Sequence, residues 1–266
     1  MREEIELIAS QRARLLALLG TLADGDWPAT TACAPWDLRD VVAHLVDGEL
    51  SLGPLYRSEV KELPYQDPEL GIARWRALPG PAVAAALWQH GTATQRVLEA
   101  ITEEAWRAPL QAFGCRSVGQ LARLHLFELA MHGRDVAAAA GAQPHWDDCV
   151  GFLAEHVVRV APRTLARLGV APEGALAVRA AGKAWTIDGR AGTWALAPGA
   201  SNGTDAGNDV ATGNEPDATI ELDAVPMIEA VTGRRDASEV FESAKVTGDV
   251  DAARRIFLGW RVLAFR

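Results

Sequence analysis

Leu121-Ala-Arg-Leu-His125-Leu-Phe-Glu128-Leu-Ala-Met-His132-Gly-Arg-Asp135-Val-Ala-Ala-Ala139 lacks proline, and its apolar residues recur at helical spacing. At about 100° per residue with Glu128 as zero, His132 falls near about +40°, His125 near about +60° and Asp135 near about −20°. Leu121, Leu124, Met131 and Ala139 share that arc, while Arg123 and Arg134 point the other way. The core-facing stripe of this helix therefore carries acids and imidazoles. A carboxylate there costs on the order of several kcal/mol unless a charge or a metal compensates it. Histidine four residues from glutamate is a common compensation.

Around this helix the chain is ordinary in composition. It has 266 residues, 49% hydrophobic and 23% charged, enough for one large domain or two modest ones, and two are expected. The net charge of −9 argues against a nucleic-acid or anionic-membrane surface, because binding phosphates needs clustered Lys and Arg. Met1-Arg-Glu-Glu-Ile-Glu6 is acidic and runs straight into an amphipathic helix, and no apolar stretch reaches membrane-spanning length, so a cytoplasmic location is expected. Cys33, Cys115 and Cys149 are widely spaced without any CxxC pairing. They suggest neither a disulfide framework nor a thiolate zinc site, and read as small buried hydrophobes.

From residue 3 to about 168 the pattern is helical, with no convincing strand. Helices are expected at about 3–22, from Asp37 as N-cap to about 61, at about 82–101, and from Ser117, where Ser117-Val-Gly-Gln120 fits a capping box. Four long helices make a bundle whose core suits a side-chain metal site. A fifth, at about 146–168, is expected to pack on the bundle. After Gly169 short β-like runs appear at 175–179, 184–187, 193–197 and 219–222, followed by helical runs at about 224–232, 236–243 and 249–264. Strands first and helices after indicate an α+β second domain, giving domains at 1–168 and 169–266. The polar Gly/Asn/Asp segment from Pro198 to Asp209 reads as a loop or long hairpin tip.

A stable site for a first-row metal wants a third ligand from another element, and His44 is the candidate. It lies on the inner side of the second helix with Val41, Leu45 and Leu52, and Asp40 and Asp47, one turn either side, could orient its ring. His44, Glu128 and His132 would hold a divalent metal, most simply zinc, with a coordination position left open, as in catalytic sites. On residues alone a buried Glu/His hydrogen-bond network is the competing account. His125 could join the cluster or be an ordinary core histidine. His90, His145 and His156 have no partner pattern.

Pro35-Trp36-Asp-Leu-Arg-Asp-Val-Val-Ala-His44-Leu and Glu128-Leu-Ala-Met-His132-Gly-Arg-Asp135 resemble the two metal-site motifs of the mycothiol-dependent maleylpyruvate isomerase family, a branch of the DinB-like metal-binding bundles. That family couples a DinB-like four-helix bundle to a smaller C-terminal α+β domain similar to sterol carrier protein 2. Val246-Thr-Gly-Asp249 leading into Ala252-Ala-Arg-Arg-Ile resembles the closing segment of that domain. The resemblance implies zinc on His44, Glu128 and His132, with a supporting polar role for Asp135 at the catalytic site. It implies mycothiol or a similar small thiol as cosubstrate, with a C-terminal arginine among Arg254, Arg255 and Arg261 reaching a substrate carboxylate.

A metal-bound thiol loses its proton at neutral pH, so a thiol enzyme of this kind needs no cysteine of its own. Addition to an electrophilic carbon, bond rotation and thiol loss would give isomerisation, and retention of the adduct would give transfer. The alternative is a non-catalytic carrier of a small apolar ligand with a structural metal site.

Overall fold

The computed structural model describes residues 1–63, 67–197 and 215–261. The expected loop from Pro198 to Asp209 lies outside them. The chain divides into two compact units, Met1–Cys149 and Val150–Arg266. This boundary falls one helix earlier than the expected 168/169, because the change of texture marks where strands begin, not where packing divides. Among the described residues no helix is long and apolar enough to cross a membrane.

In the first unit α1 (Arg2–Leu19), α2 (Leu38–Tyr56), α4 (Gly80–Glu99) and α6 (Val118–Ala139) form the four-helix bundle. They pack in the cyclic order α1, α4, α2, α6, so α2 and α6 are neighbours. The starts of α2 and α6 follow local chemistry. Asp37 accepts the Asp40 backbone N–H at 2.8 Å, and Ser117 accepts that of Gln120 at 3.2 Å. The Gln120 side chain turns back to Arg116 N at 2.8 Å, one residue short of a full capping box. Ile8, Leu38, Val41, Leu87, Leu121 and Met131 are fully buried in the core. Each such side chain contributes about 1.5–3 kcal/mol of hydrophobic stabilisation.

This unit is not wholly helical. Besides the short helices α3 (Pro68–Ala73) and α5 (Glu103–Arg107), it holds a small sheet of β1 (Glu62–Leu63), β2 (Pro109–Ala112) and β3 (Cys115–Ser117). Strands of two to four residues are too short to display an alternation, which is why the sequence reads as helix and loop there.

The second unit begins with α7 (Val150–Arg167), the fifth helix that was expected to pack on the bundle; it belongs to this unit and packs on the sheet and on α8 (Ala224–Val231). Its sheet has the order β6-β5-β4-β7-β8, made of β4 (Ala175–Ala180), β5 (Lys183–Asp188), β6 (Ala195–Leu196), β7 (Ala218–Glu221) and β8 (Lys245–Gly248). The β4–β5 hairpin turns through Ala181 and Gly182 at φ 51° and 71°, the left-handed pair that suits a tight antiparallel turn. Helices α9 (Ala237–Ser243) and α10 (Val250–Gly259) complete the fold, with α10 against β4, β7 and β8. The whole is the expected two-domain α+β fold, helical first and sheet-bearing second, with β8 an additional strand between the helical runs expected at about 236–243 and 249–264.

Candidate metal centre

His44 on α2 and Glu128 and His132 on α6 converge in the bundle. His44 Nε2 stands 3.5 Å and His132 Nε2 3.1 Å from the same oxygen, Oε2 of Glu128. One donor atom from each residue lies within 4.8 Å of the other two. Zinc bonds of about 2.0–2.1 Å at a tetrahedral angle set donor-to-donor edges of about 3.3–3.4 Å, so two nitrogens and a carboxylate oxygen at these separations fit a first-row divalent ion. The His44 and Glu128 side chains keep 22% and 24% exposure while His132 keeps 6%, so the cluster is closed beneath and open on one side. The Trp36 ring packs on His44 with centroids 5.1 Å apart, and the His44 and His132 rings meet edge to face at 5.0 Å.

The electrostatics are those of a tightly coupled acid and base. Burial pushes the Glu128 carboxyl up, but hydrogen bonds to His132 and His44 outweigh it and hold it well below the ordinary range. Burial opposes charge on His132, yet Asp135, Cys33 and Glu128 together raise its pKa well above the usual 6.5. Without a metal, the pair is a carboxylate and an imidazolium. Asp135 is fully buried, and its Oδ2 lies 3.4 Å from His132 Nδ1.

Cys33, read from sequence as a bland hydrophobe, belongs to this cluster. Its thiol donates to Asp135 Oδ2 at 3.1 Å and lies 3.7 Å from His132 Nδ1. The sequence signal was its place in the segment that leads through Pro35-Trp36 to His44. Arg134 does not face away as expected. Its side chain is only 15% exposed, with Nη1 3.5 Å from Asp135 Oδ1.

Other expected partners go elsewhere. Asp40 accepts a bidentate pair from Arg76 at 3.1 and 3.0 Å, and Asp47 faces Arg74 at 3.6 Å, so these acids tie α2 to α3 and its flank. The Trp36 indole binds Glu69 Oε1 from the same side. His125 sits in a separate polar layer. Its Nε2 is 3.1 Å from Glu49 Oε1, which also receives Arg12 at 3.0 and 2.8 Å, and the Tyr56 hydroxyl is 3.3 Å from its Nδ1. Burial raises the Glu49 carboxyl, but His125 and Arg12 outweigh it and bring it down to about 2. His90 packs edge-on against Trp75, the His145 carbonyl accepts from Arg14, and His156 lies on α7. Arg254 pairs with Glu242 at 2.7 Å and Arg255 donates to the Glu173 carbonyl at 3.1 Å, both within the second unit, and Arg261 is exposed.

Residues 8–137 match the mycothiol maleylpyruvate isomerase N-terminal domain. No curated protein gives a significant sequence match. Among solved structures, the mycothiol-dependent maleylpyruvate isomerase is similar at 15% identity and a TM-score of 0.61, over 88% of this chain and 89% of that one. A histidine-to-alanine variant of that enzyme is similar at 14% identity and a TM-score of 0.63, over 92% of each. A sterol carrier protein 2 like 2 from Aedes aegypti covers 41% of this chain and 96% of its own at 16% identity, with a TM-score of 0.28, too low to define a shared fold. The bundle thus matches the mycothiol maleylpyruvate isomerase N-terminal domain over residues 8–137, and the chain shares the two-domain fold of the solved isomerase.

Proposed function

We propose that this protein is a metal-dependent enzyme that uses a low-molecular-weight thiol, mycothiol in the first instance, as the nucleophile toward an electrophilic small molecule. The reaction is an isomerisation or a thiol transfer. The observation that carries the reading is the convergence of His44, Glu128 and His132 with one side left partly exposed. A structural metal site is ordinarily closed by four protein ligands, whereas a catalytic one keeps a position open.

His44, Glu128 and His132 would hold a divalent ion, zinc by donor type. Such an ion lowers the pKa of a thiol bound to it and so supplies a thiolate at neutral pH. The chain's own residues prepare the place. Asp135 accepts from Nδ1 of His132 and so would leave Nε2, on the Glu128 side of the ring, as the atom that meets the ion, fixing ring and tautomer. Trp36 covers one face of His44 and limits water on that side. The thiol sulfur adds to an activated double bond, rotation follows, and expulsion of the thiol returns the isomer, while an adduct that keeps its carbon–sulfur bond is a transfer product.

Purified protein should carry about one equivalent of divalent metal, and Glu128→Ala should lose it. The wild type should accelerate thiol addition to an α,β-unsaturated ketone or acid in a chelator-sensitive way. Stoichiometric metal in Glu128→Ala, or bound fatty acid with no thiol-dependent turnover in the wild type, would sink the catalytic reading and favour the carrier.

A further inference from the structure

Among the described residues two clusters of three donors could hold a metal ion, and the second is Cys33, His132 and Asp135. The two share His132 but use opposite edges of its ring. Nε2 faces Glu128 at 3.1 Å, whereas Nδ1 faces Asp135 at 3.4 Å and Cys33 at 3.7 Å. The third edge of this triangle, Cys33 Sγ to Asp135 Oδ2, is 3.1 Å. Metal bonds of about 2.3 Å to sulfur and about 2.0–2.2 Å to nitrogen and oxygen span tetrahedral edges of about 3.3–3.6 Å. The three donors thus already lie near the separations that one ion would impose. Asp135 is fully buried and His132 nearly so, while Cys33 is partly exposed on the loop before α2 and gives access from outside. Arg134 approaches the other carboxylate oxygen of Asp135, with Nη1 3.5 Å from Oδ1.

We infer that Cys33, His132 Nδ1 and Asp135 form a second cation site, back to back with the first and selective for thiophilic divalent ions. A thiolate, an imidazole and one carboxylate oxygen favour soft ions such as cadmium, with zinc next and magnesium or calcium rejected. Filling it displaces two protons to solvent, one from the Cys33 thiol and one from the His132 ring, which then bridges the two ions as imidazolate. The ion takes the edge of His132 that Asp135 otherwise holds, so occupancy converts a positioning contact into a coordination bond. A thiophilic ion in excess should therefore alter the first site without competing for it. The inference shares His132 with the metal reading above but does not rest on the thiol reaction.

The test is titration of the zinc-loaded protein with cadmium, following the ultraviolet charge-transfer band of cadmium–thiolate and the metal content after desalting. The wild type should bind a second ion per chain and develop the band to one equivalent. Cys33→Ser should keep the first ion and lose both the second and the band. Asp135→Asn should keep the thiol and weaken the second ion at least tenfold. Three results would overturn the site: no band in the wild type, an equal band in Cys33→Ser, or cadmium merely replacing zinc at a total of one ion. Absence of the first ion with a Cys33-dependent band would instead count against the reading of His44, Glu128 and His132 alone. Melting curves of both variants within a few degrees of the wild type keep misfolding out of the comparison.

Discussion

The imidazole of His132 is gripped by carboxylates on both edges, Glu128 at 3.1 Å and Asp135 at 3.4 Å, and this sets what single substitutions should do. In Asp135→Asn the amide can offer either an N–H or a carbonyl to Nδ1, so the tautomer is no longer imposed. Affinity for the first metal should fall about 10- to 100-fold, measured by competition with a chromophoric chelator, with the fold intact by circular dichroism. Because the metal-free His132 keeps its proton well above pH 6.5, the ion must displace that proton. Metal affinity should therefore rise about tenfold per pH unit through neutrality, and a flat profile would mean that His132 is not a ligand. The convergence of His44, Glu128 and His132 was legible because Glu128 and His132 stand four apart on one stripe and His44 shares a helix face with Val41 and Leu45. The role of Cys33 was not, since its place just before Pro35-Trp36 does not by itself relate a loop thiol to a carboxylate so far downstream. The companions of Asp40 and Asp47 were misjudged for a similar reason: the arginines of the α3 segment reach them first.

At the level of elements, the bundle is registered by charge as well as by apolar packing. Arg12 of α1, Glu49 of α2 and His125 of α6 meet in the core, and Arg12 also reaches Gln95 of α4 at 2.8 Å, so one guanidinium links the helices. Gly91 of α4 makes the room: a Cβ there would lie 2.6 Å from Arg12 Cδ and Nε. Arg12→Met should cost about 3–5 kcal/mol in urea unfolding, because it leaves a buried carboxylate with His125 as its remaining charged partner. Gly91→Ala should destabilise through the displaced arginine despite alanine's better helix propensity, and a gain in stability would show that the slot is not needed. Long helices announce themselves by their period, and Asp37 and Ser117 mark two of the starts. The strands β1 to β3 and β8 escaped because two to four residues are too few to display an alternation of their own.

For the molecule as a whole, the same network should govern tolerance to acid. Glu49 titrates near 2 in the folded protein against an ordinary 4.5, so its contribution is complete above about pH 4.5 and is lost as pH falls from there toward 2. That shift corresponds to on the order of 3 kcal/mol, and Glu49→Gln, less stable at neutral pH, should show a flatter stability profile across this window in denaturant titrations. A metal held by His44, Glu128 and His132 would bind the folded state alone, so adding zinc to the stripped protein should raise the thermal midpoint progressively with concentration, an effect that Glu128→Ala should abolish. Finally, the run from Thr31 to His44 brings the Cys33 thiol, the Trp36 ring and the proposed donor His44 in a single contiguous piece, whereas Glu128 and His132 come from α6. Rim and ligand can thus be exchanged between relatives as one cassette, and substrate preference in such chimaeras should travel with the transplanted segment while Glu128 and His132 stay in place.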